Sequence, residues 1–153
     1  MENISTNITY SEAVRSQTAT RRGINNHPDN RQLSAMREVA SKVFQPLREN
    51  FGPIRVSSFF RSVKLNKTIG GSSSSQHCKG EAMDIISTNG FSNKDMFDYI
   101  KDNLEFDQLI WEFGNSKEPA WVHVSYTNRR PNRRSIIVAY KNKYGRTKYK
   151  NFE

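Results

Sequence analysis

Residues 70–85, GGSSSSQHCKGEAMDI, constrain the fold more than any other stretch of this chain. The segment opens as a Gly/Ser loop, passes through His77, turns at Gly80 and enters an apolar run at Asp84. A hydrophobic core does not require such a segment. Bringing an imidazole and a carboxylate to one point does, because the backbone between them must reverse sharply. Gly80 can supply that reversal, since a residue without a Cβ reaches backbone angles that others resist.

The flanking sequence supplies elements on which such a loop can be mounted. Across residues 30–50, Leu33, Met36, Ala40, Val43, Phe44 and Leu47 share one helical face, and Pro46 predicts a kink or restart within it. A short helix is expected to begin at Ser11, with Ser11 as its cap. A short helix or turn is expected over residues 63–69. Ser92-Asn93-Lys94-Asp95 reads as the start of a helix that buries Met96, Phe97, Ile100 and Leu104. Strands are predicted at residues 54–58, 82–86, 106–113, 121–126 and 136–140. In the fourth of these, alternation places Trp121, His123 and Ser125 on one face. Helices first, then strands with one interposed helix, imply an α+β domain with an antiparallel sheet flanked by helices. With 153 residues and no internal repeat, the chain reads as one domain.

The charge balance narrows the partners. Lysine and arginine number 24 against 15 carboxylates, and the excess gathers at Arg129, Arg130, Arg133, Arg134, Lys141, Lys143, Arg146, Lys148 and Lys150. Such a block can engage a polyanion, either nucleic acid or an anionic envelope polymer, or simply form a solvated face. No readable nucleic-acid motif accompanies it. No window approaches the roughly 18 apolar residues of a membrane span. The N-terminal residues show neither a basic region nor an apolar core, so no secretory signal is expected. Cys78 is the only cysteine, which excludes an intramolecular disulfide and fits synthesis in a reducing cytoplasm.

Of three histidines, His77 and His123 lie in segments built to hold a side chain in place, whereas His27 precedes a proline in a loop and is expected to be exposed. His77, Asp84 and His123 make a set of two imidazoles and one carboxylate. That set suits zinc and leaves a fourth position open, as catalytic zinc sites do. Hydrolysis there needs a base for the proton of the attacking water. Glu112, closing the third strand, and Glu118, shortly before His123, are the carboxylates best placed for it.

The pattern Ser75-x-His77-x-x-Gly80-x-Ala82-x-Asp84, followed by Trp121-x-His123, resembles that of the D-Ala-D-Ala carboxypeptidase-like zinc peptidases, which share a metal site and core sheet with lysostaphin-type peptidases and hedgehog domains. The likeness extends to Ser11-Glu12, Gly23-Ile24-Asn25-Asn26, Phe60-Arg61-Ser62, Asn66 and Gly70-Gly71, and covers roughly residues 8–128. It implies that His77, Asp84 and His123 bind Zn2+. Arg61 would hold the oxygen of the scissile carbonyl, a role that guanidinium geometry suits. Ser75 and Gln76 would line the substrate cleft, and Trp121 would pack beside the site and help to fix His123. Where many members carry an acid three residues before the last histidine, this chain has Ala120. The hedgehog-like pattern takes its carboxylate from the end of the preceding strand, which favours Glu112 over Glu118 as the base. Phe59-Phe60 replaces the common Gly-Tyr, removing a hydroxyl that could meet substrate. Cys78 lies beside a ligand but is expected to be a bystander.

On this reading residues 1–128 form the zinc peptidase core, and 129–153 a basic strand and tail of the same domain. The expected function is cleavage of peptidoglycan stem peptides or cross-links by a monomeric enzyme. It would be made in the cytoplasm and act at the bacterial cell wall as a phage endolysin does, with the tail drawn to anionic envelope polymers. The alternative is a zinc-containing binding or virion module without catalysis; a nucleic-acid binder rests on the tail alone.

Overall fold

The computed structural model describes residues 2–153. Helix α1 (Tyr10–Val14) is capped by Thr9 and not, as expected, by Ser11. The Thr9 hydroxyl accepts the Glu12 N–H at 3.0 Å, and the Glu12 carboxylate accepts the Thr9 N–H at 3.2 Å, so two donors of the helix start are satisfied reciprocally. Helix α2 (Gln17–Arg22) follows and ends at Gly23. The amphipathic stretch after it forms three pieces: α3 (Asn30–Val39), a π-turn over Ala40–Phe44, and α4 (Gln45–Phe51). Pro46 falls in the first turn of α4, where a missing N–H costs least, and the wider π-turn absorbs the break. Met36, Ala40, Val43, Phe44 and Leu47 are all fully buried. The expected restart at the proline is what forms.

Strands β1 (Arg55–Ser58), β2 (Ala82–Ile86), β3 (Gln108–Glu112), β4 (Trp121–Ser125), β5 (Ser135–Lys141) and β6 (Thr147–Asn151) make one sheet in the order β1-β2-β4-β3-β5-β6. Between β1 and β2 lie α5 (Val63–Thr68) and a single 3₁₀ turn (Gln76–Lys79); α6 (Asn93–Asn103) joins β2 to β3. The class is α+β, as the order of elements implies. One pair departs from antiparallel pairing: β5 runs parallel to β3, so the sheet is mixed. The reason is the path of the chain. Leaving β4, it passes the starting end of β3 and adds β5 on the far side, where Ser135 meets Gln108. The sixth strand lies in the basic tail, where Lys148, Tyr149 and Lys150 carry no apolar alternation. A turn closes it instead: the Asn142 side chain accepts the Tyr144 and Arg146 N–H groups at 2.9 and 3.0 Å.

Period-two alternation sorts the sheet into two faces. Met83, Ile85, Leu109, Trp111, Val122 and Val124 point to the core, where α3 and α6 cover them. A capping box between Ser92 and Asp95 starts α6, whose Met96, Phe97 and Ile100 are fully buried. Each such side chain removed from water stabilises the fold by about 1.5–3 kcal/mol before entropy is counted. The opposite face carries Asp84, His123, Trp121, Ile110 and Glu112, placed side by side by the registers Asp84↔His123, Ile110↔His123 and Glu112↔Trp121.

Candidate metal centre

The loop that carries His77 is fixed before any ligand arrives. The Ser75 hydroxyl accepts the His77 N–H at 3.3 Å and caps the 3₁₀ turn. Gly80 then reverses the chain with φ of 75°, in the left-handed region. A Cβ at this position would lie 2.5 Å from the Gln32 carbonyl oxygen and 2.9 Å from Met36 Cγ. The turn therefore needs glycine twice over, for its backbone angle and for its closeness to α3. Gln32 adds a bond of its own, its side-chain amide donating to the Cys78 carbonyl at 3.1 Å.

Past that turn, β2 presents Asp84 beside His77 and opposite His123. The ligand atoms of His77, Asp84 and His123 lie within 4.8 Å of one another. His77 Nδ1 contacts the Phe59 carbonyl at 2.7 Å, which makes it the protonated nitrogen and leaves a lone pair on Nε2. That Nε2 is buried without a hydrogen-bond partner and faces Asp84 Oδ2 at 3.3 Å. Two acceptors so close, with no donor between them, fit a cation. Asp84 Oδ1 faces His123 Nδ1 at 3.1 Å on its other side. Burial alone would raise the Asp84 carboxyl, but His77 and His123 overcome it and hold Asp84 ionised well below the usual carboxylate range.

Glu112 lies on the same face, one alternation along β3 from the residue paired with His123. Burial pushes its carboxyl up to about 7; His123 and Arg61 pull it down and Asp84 adds to the rise. Its charge is thus coupled to both metal-facing strands and to Arg61. Arg61 is held by its own supports. Its Nη1 donates to Asn66 Oδ1 at 3.1 Å, the Asn66 amide donates to the Ser72 carbonyl at 2.8 Å, and the Arg61 Nε is buried without a partner. Buried Asn26 clasps the same stretch from behind, donating to the Val14 and Phe60 carbonyls and accepting the Ser62 N–H at 2.7 Å.

The other expected site residues have different surroundings. The Glu118 carboxylate accepts the Asn93 N–H at 2.7 Å and so sits at the start of α6. Gln76 gives its amide to Asp107 at 2.8 Å. Trp121, half-buried, lies with its ring 5.4 Å from that of Phe113. Phe60, which stands where a tyrosine is common, is buried in the hydrophobic core. His27 is exposed and pairs with the Tyr10 hydroxyl at 2.9 Å. Burial raises the Cys78 thiol despite Arg61 and Lys79 nearby, and Cys78 is not among the three clustered ligands.

A role for Asp107 was not legible in the sequence. It is fully buried, and it accepts Arg130 Nη1 at 2.6 Å, the Arg133 N–H at 3.0 Å, the Arg133 side chain and Gln76. These bonds outweigh burial and keep its carboxyl low. Glu81, also buried, takes Arg129 through both oxygens at 2.8 and 2.9 Å and the Thr127 hydroxyl at 3.0 Å. Arg134 donates to the Leu104 and Lys101 carbonyls at the end of α6 and lies over the Phe106 ring. The first four arginines of the basic block are therefore bound within the protein. The one available signal was an acid opening a buried strand in a chain with an arginine cluster.

Two imidazoles and a carboxylate converging on one sheet face, with an elevated glutamate and a supported arginine beside them, fit the site of a metal-dependent hydrolase. The family model described as Peptidase M15 matches residues 6–125, and the chain belongs to that family of metallopeptidases. A comparison with curated proteins returned no match. Among the described residues, no helix is long and apolar enough to cross a membrane.

Proposed function

We propose that this protein is a zinc-dependent peptidase that cleaves peptidoglycan peptides at the bacterial cell wall, as a carboxypeptidase or an endolysin-type endopeptidase. The observation that carries the reading is the pair of acceptors His77 Nε2 and Asp84 Oδ2, 3.3 Å apart with no donor between them. His77, Asp84 and His123 would hold the ion. Zinc bound there supplies a Lewis acid and makes a nearby water acidic enough to react at neutral pH.

The rest of the chemistry falls to the chain. Glu112, buried on the same sheet face, takes the proton of the attacking water and returns it to the departing amine. Arg61, whose guanidinium is fixed by Asn66, steadies the charge that develops on the carbonyl oxygen. Trp121 forms a wall of the cleft. Ser75 and Gln76 shape it from beneath, by capping the ligand turn and by bonding Asp107. Residues 129–153 act with the core as one unit. Contact with anionic envelope polymers falls to the exposed hairpin cations Lys143, Arg146, Lys148 and Lys150, since the arginines before them are engaged.

Zinc-loaded protein incubated with purified peptidoglycan, with released fragments identified by mass, tests this reading. Fragments ending at one type of peptide bond are expected from the wild type and at least about 100-fold more slowly from Glu112→Gln, with zinc retained in both. Binding to peptidoglycan with no fragment from zinc-loaded wild type would replace the peptidase with a non-catalytic zinc module.

A further inference from the structure

The family match ends at residue 125, yet the sheet face that carries the metal centre does not end there. Glu112 on β3 is directly beside Ala139 on β5, and Ala139 directly beside Tyr149 on β6. Paired residues share a face, so the face of Asp84, His123 and Glu112 continues onto the hairpin. Two strand spacings place the Tyr149 backbone about 10 Å from that of Glu112. The residue between them is a fully buried alanine, which leaves room for the tyrosine ring to lean toward the glutamate. The influence of the Glu112 charge on the Tyr149 hydroxyl, second to burial in raising it, agrees with that closeness.

The surroundings of Tyr149 are chemically one-sided. Tyr149 is 58% exposed. One alternation further along the hairpin, on the same face, Lys141 is paired with Thr147 and bonds its hydroxyl at 2.8 Å. The Lys141 ammonium stands 5.3 Å from the centre of the Phe113 ring, which packs in turn against Trp121. Tyr149 and Lys141 thus lie on one face of the hairpin, Tyr149 in line with Glu112 and Lys141 one alternation away over the Phe113–Trp121 pair. Exposed donors and a positive charge beside an apolar surface select a ligand with a carboxylate and an aliphatic part.

We propose that the β5–β6 hairpin carries a substrate subsite, in which the Tyr149 hydroxyl and the Lys141 ammonium hold a carboxylate of the peptide while Trp121 and Phe113 pack its apolar portion. The subsite deepens the peptidase reading and rests on it. It assigns the segment after the family match to substrate selection, and makes Tyr149 and Lys141 specificity residues and not part of the bond-breaking machinery.

The test compares three synthetic stem pentapeptides: L-Ala-γ-D-Glu-L-Lys-D-Ala-D-Ala, the same peptide amidated at the glutamate α-carboxylate, and the same peptide amidated at its C-terminus. Zinc-loaded wild type, Tyr149→Phe and Lys141→Met are assayed on each; both substitutions preserve bulk on an exposed hairpin. The expected result is a KM raised about 10-fold in each variant on the parent peptide with little change in kcat, the size of a lost charge-assisted bond. That increase should vanish on one of the two amides, identifying the carboxylate held. A wild type active on the peptides, with variants that match it throughout or weaken equally on all three, overturns the subsite and leaves the peptidase standing. A wild type that cleaves none of these peptides and releases no peptidoglycan fragment overturns both.

Discussion

The fully buried carboxylate of Asp107 accepts the side-chain amide of Gln76 at 2.8 Å, and Gln76 immediately precedes His77 of the candidate metal cluster. The same carboxylate holds Arg130 and Arg133, so the ligand turn and the start of the basic tail share one anchor. At the other end of that turn, Glu81 is bound by Arg129. Both ends of residues 76–81 are thereby tied to the segment after β4. The arginines serve the metal centre from a distance by neutralising two buried acids, and a buried charge whose partner is removed is strongly destabilising.

Asp107→Asn keeps the shape but removes the charge that Arg130 and Arg133 face. A loss of about 1–2 kcal/mol is expected, since the two arginines left behind are 36% and 50% exposed and stay hydrated, with the melting temperature falling by roughly 3–6 °C. One of the two accepting oxygens becomes an NH2 group, so Gln76, Arg130 and Arg133 must share the oxygen that remains, and zinc affinity should fall by up to about 10-fold, in line with outer partners of metal ligands. Melting curves and a competition titration against a zinc chelator measure the two effects. Lowered stability with unchanged zinc affinity would confine Asp107 to a purely structural part.

Gly80→Ala and Gly70→Ala separate conformational strain from crowding. Both glycines have positive φ, 75° and 78°, but only Gly80 has backbone in the way, while a Cβ at Gly70 would meet nothing within 4 Å. Gly70→Ala should cost about 1 kcal/mol, the strain of a left-handed non-glycine residue. Gly80→Ala should cost about twice that or more, since α3 must also give way, and should weaken zinc binding. Denaturant unfolding of the two variants side by side decides it; equal losses would mean that the contact with Gln32 relaxes freely.

The clustering of His77, Asp84 and His123 was legible because His77, Gly80 and Asp84 are local in sequence and His123 lies in a strand whose alternation is clean. The helix over residues 30–51 and its break were legible for a similar reason, a strong apolar period interrupted by a proline. The supports were not. Asp107 carries no pattern of its own, and its partners lie 23 to 31 residues away along the chain. Strand β6 is exposed and cationic, so no hydrophobic alternation betrays it; pairing with β5 and the Asn142 turn create it. Parallel pairing of β3 with β5 follows from the route of a loop, which residue spacing does not encode.

Glu118 and Glu112 separate by experiment along the lines of their contacts. The Glu118 carboxylate satisfies the first N–H of α6 and lies at the positive end of its dipole. Glu118→Ala should therefore lower stability by about 1 kcal/mol and leave peptide hydrolysis within about twofold of wild type. Glu112→Gln should lower kcat by about 10²-fold or more, the usual contribution of a positioned base, with the fold intact. Loss of activity in Glu118→Ala with zinc still bound would move the base to Glu118.

The elevated Glu112 carboxyl makes a prediction that needs no substrate. In metal-free protein its value rises from an ordinary 4.5 to about 7, so between those pH values the folded state holds a proton that the unfolded state has released. Below pH 4.5 the residue is protonated in both states and costs nothing. Stability therefore falls progressively from pH 4.5 to 7 and levels off above 7, where the folded protein also carries the buried charge, a total on the order of 3 kcal/mol. Glu112→Gln has no charge to bury. The melting temperatures of the two chelator-treated proteins should coincide near pH 4 and diverge as pH rises, the variant becoming the more stable by several degrees at pH 8. Zinc should shrink this gap, because a cation held by His77, Asp84 and His123 offsets the cost of the Glu112 charge. Parallel melting curves across the whole range, with no gap opening, would mean that Glu112 is ionised at no cost and is not poised to take a proton near neutral pH.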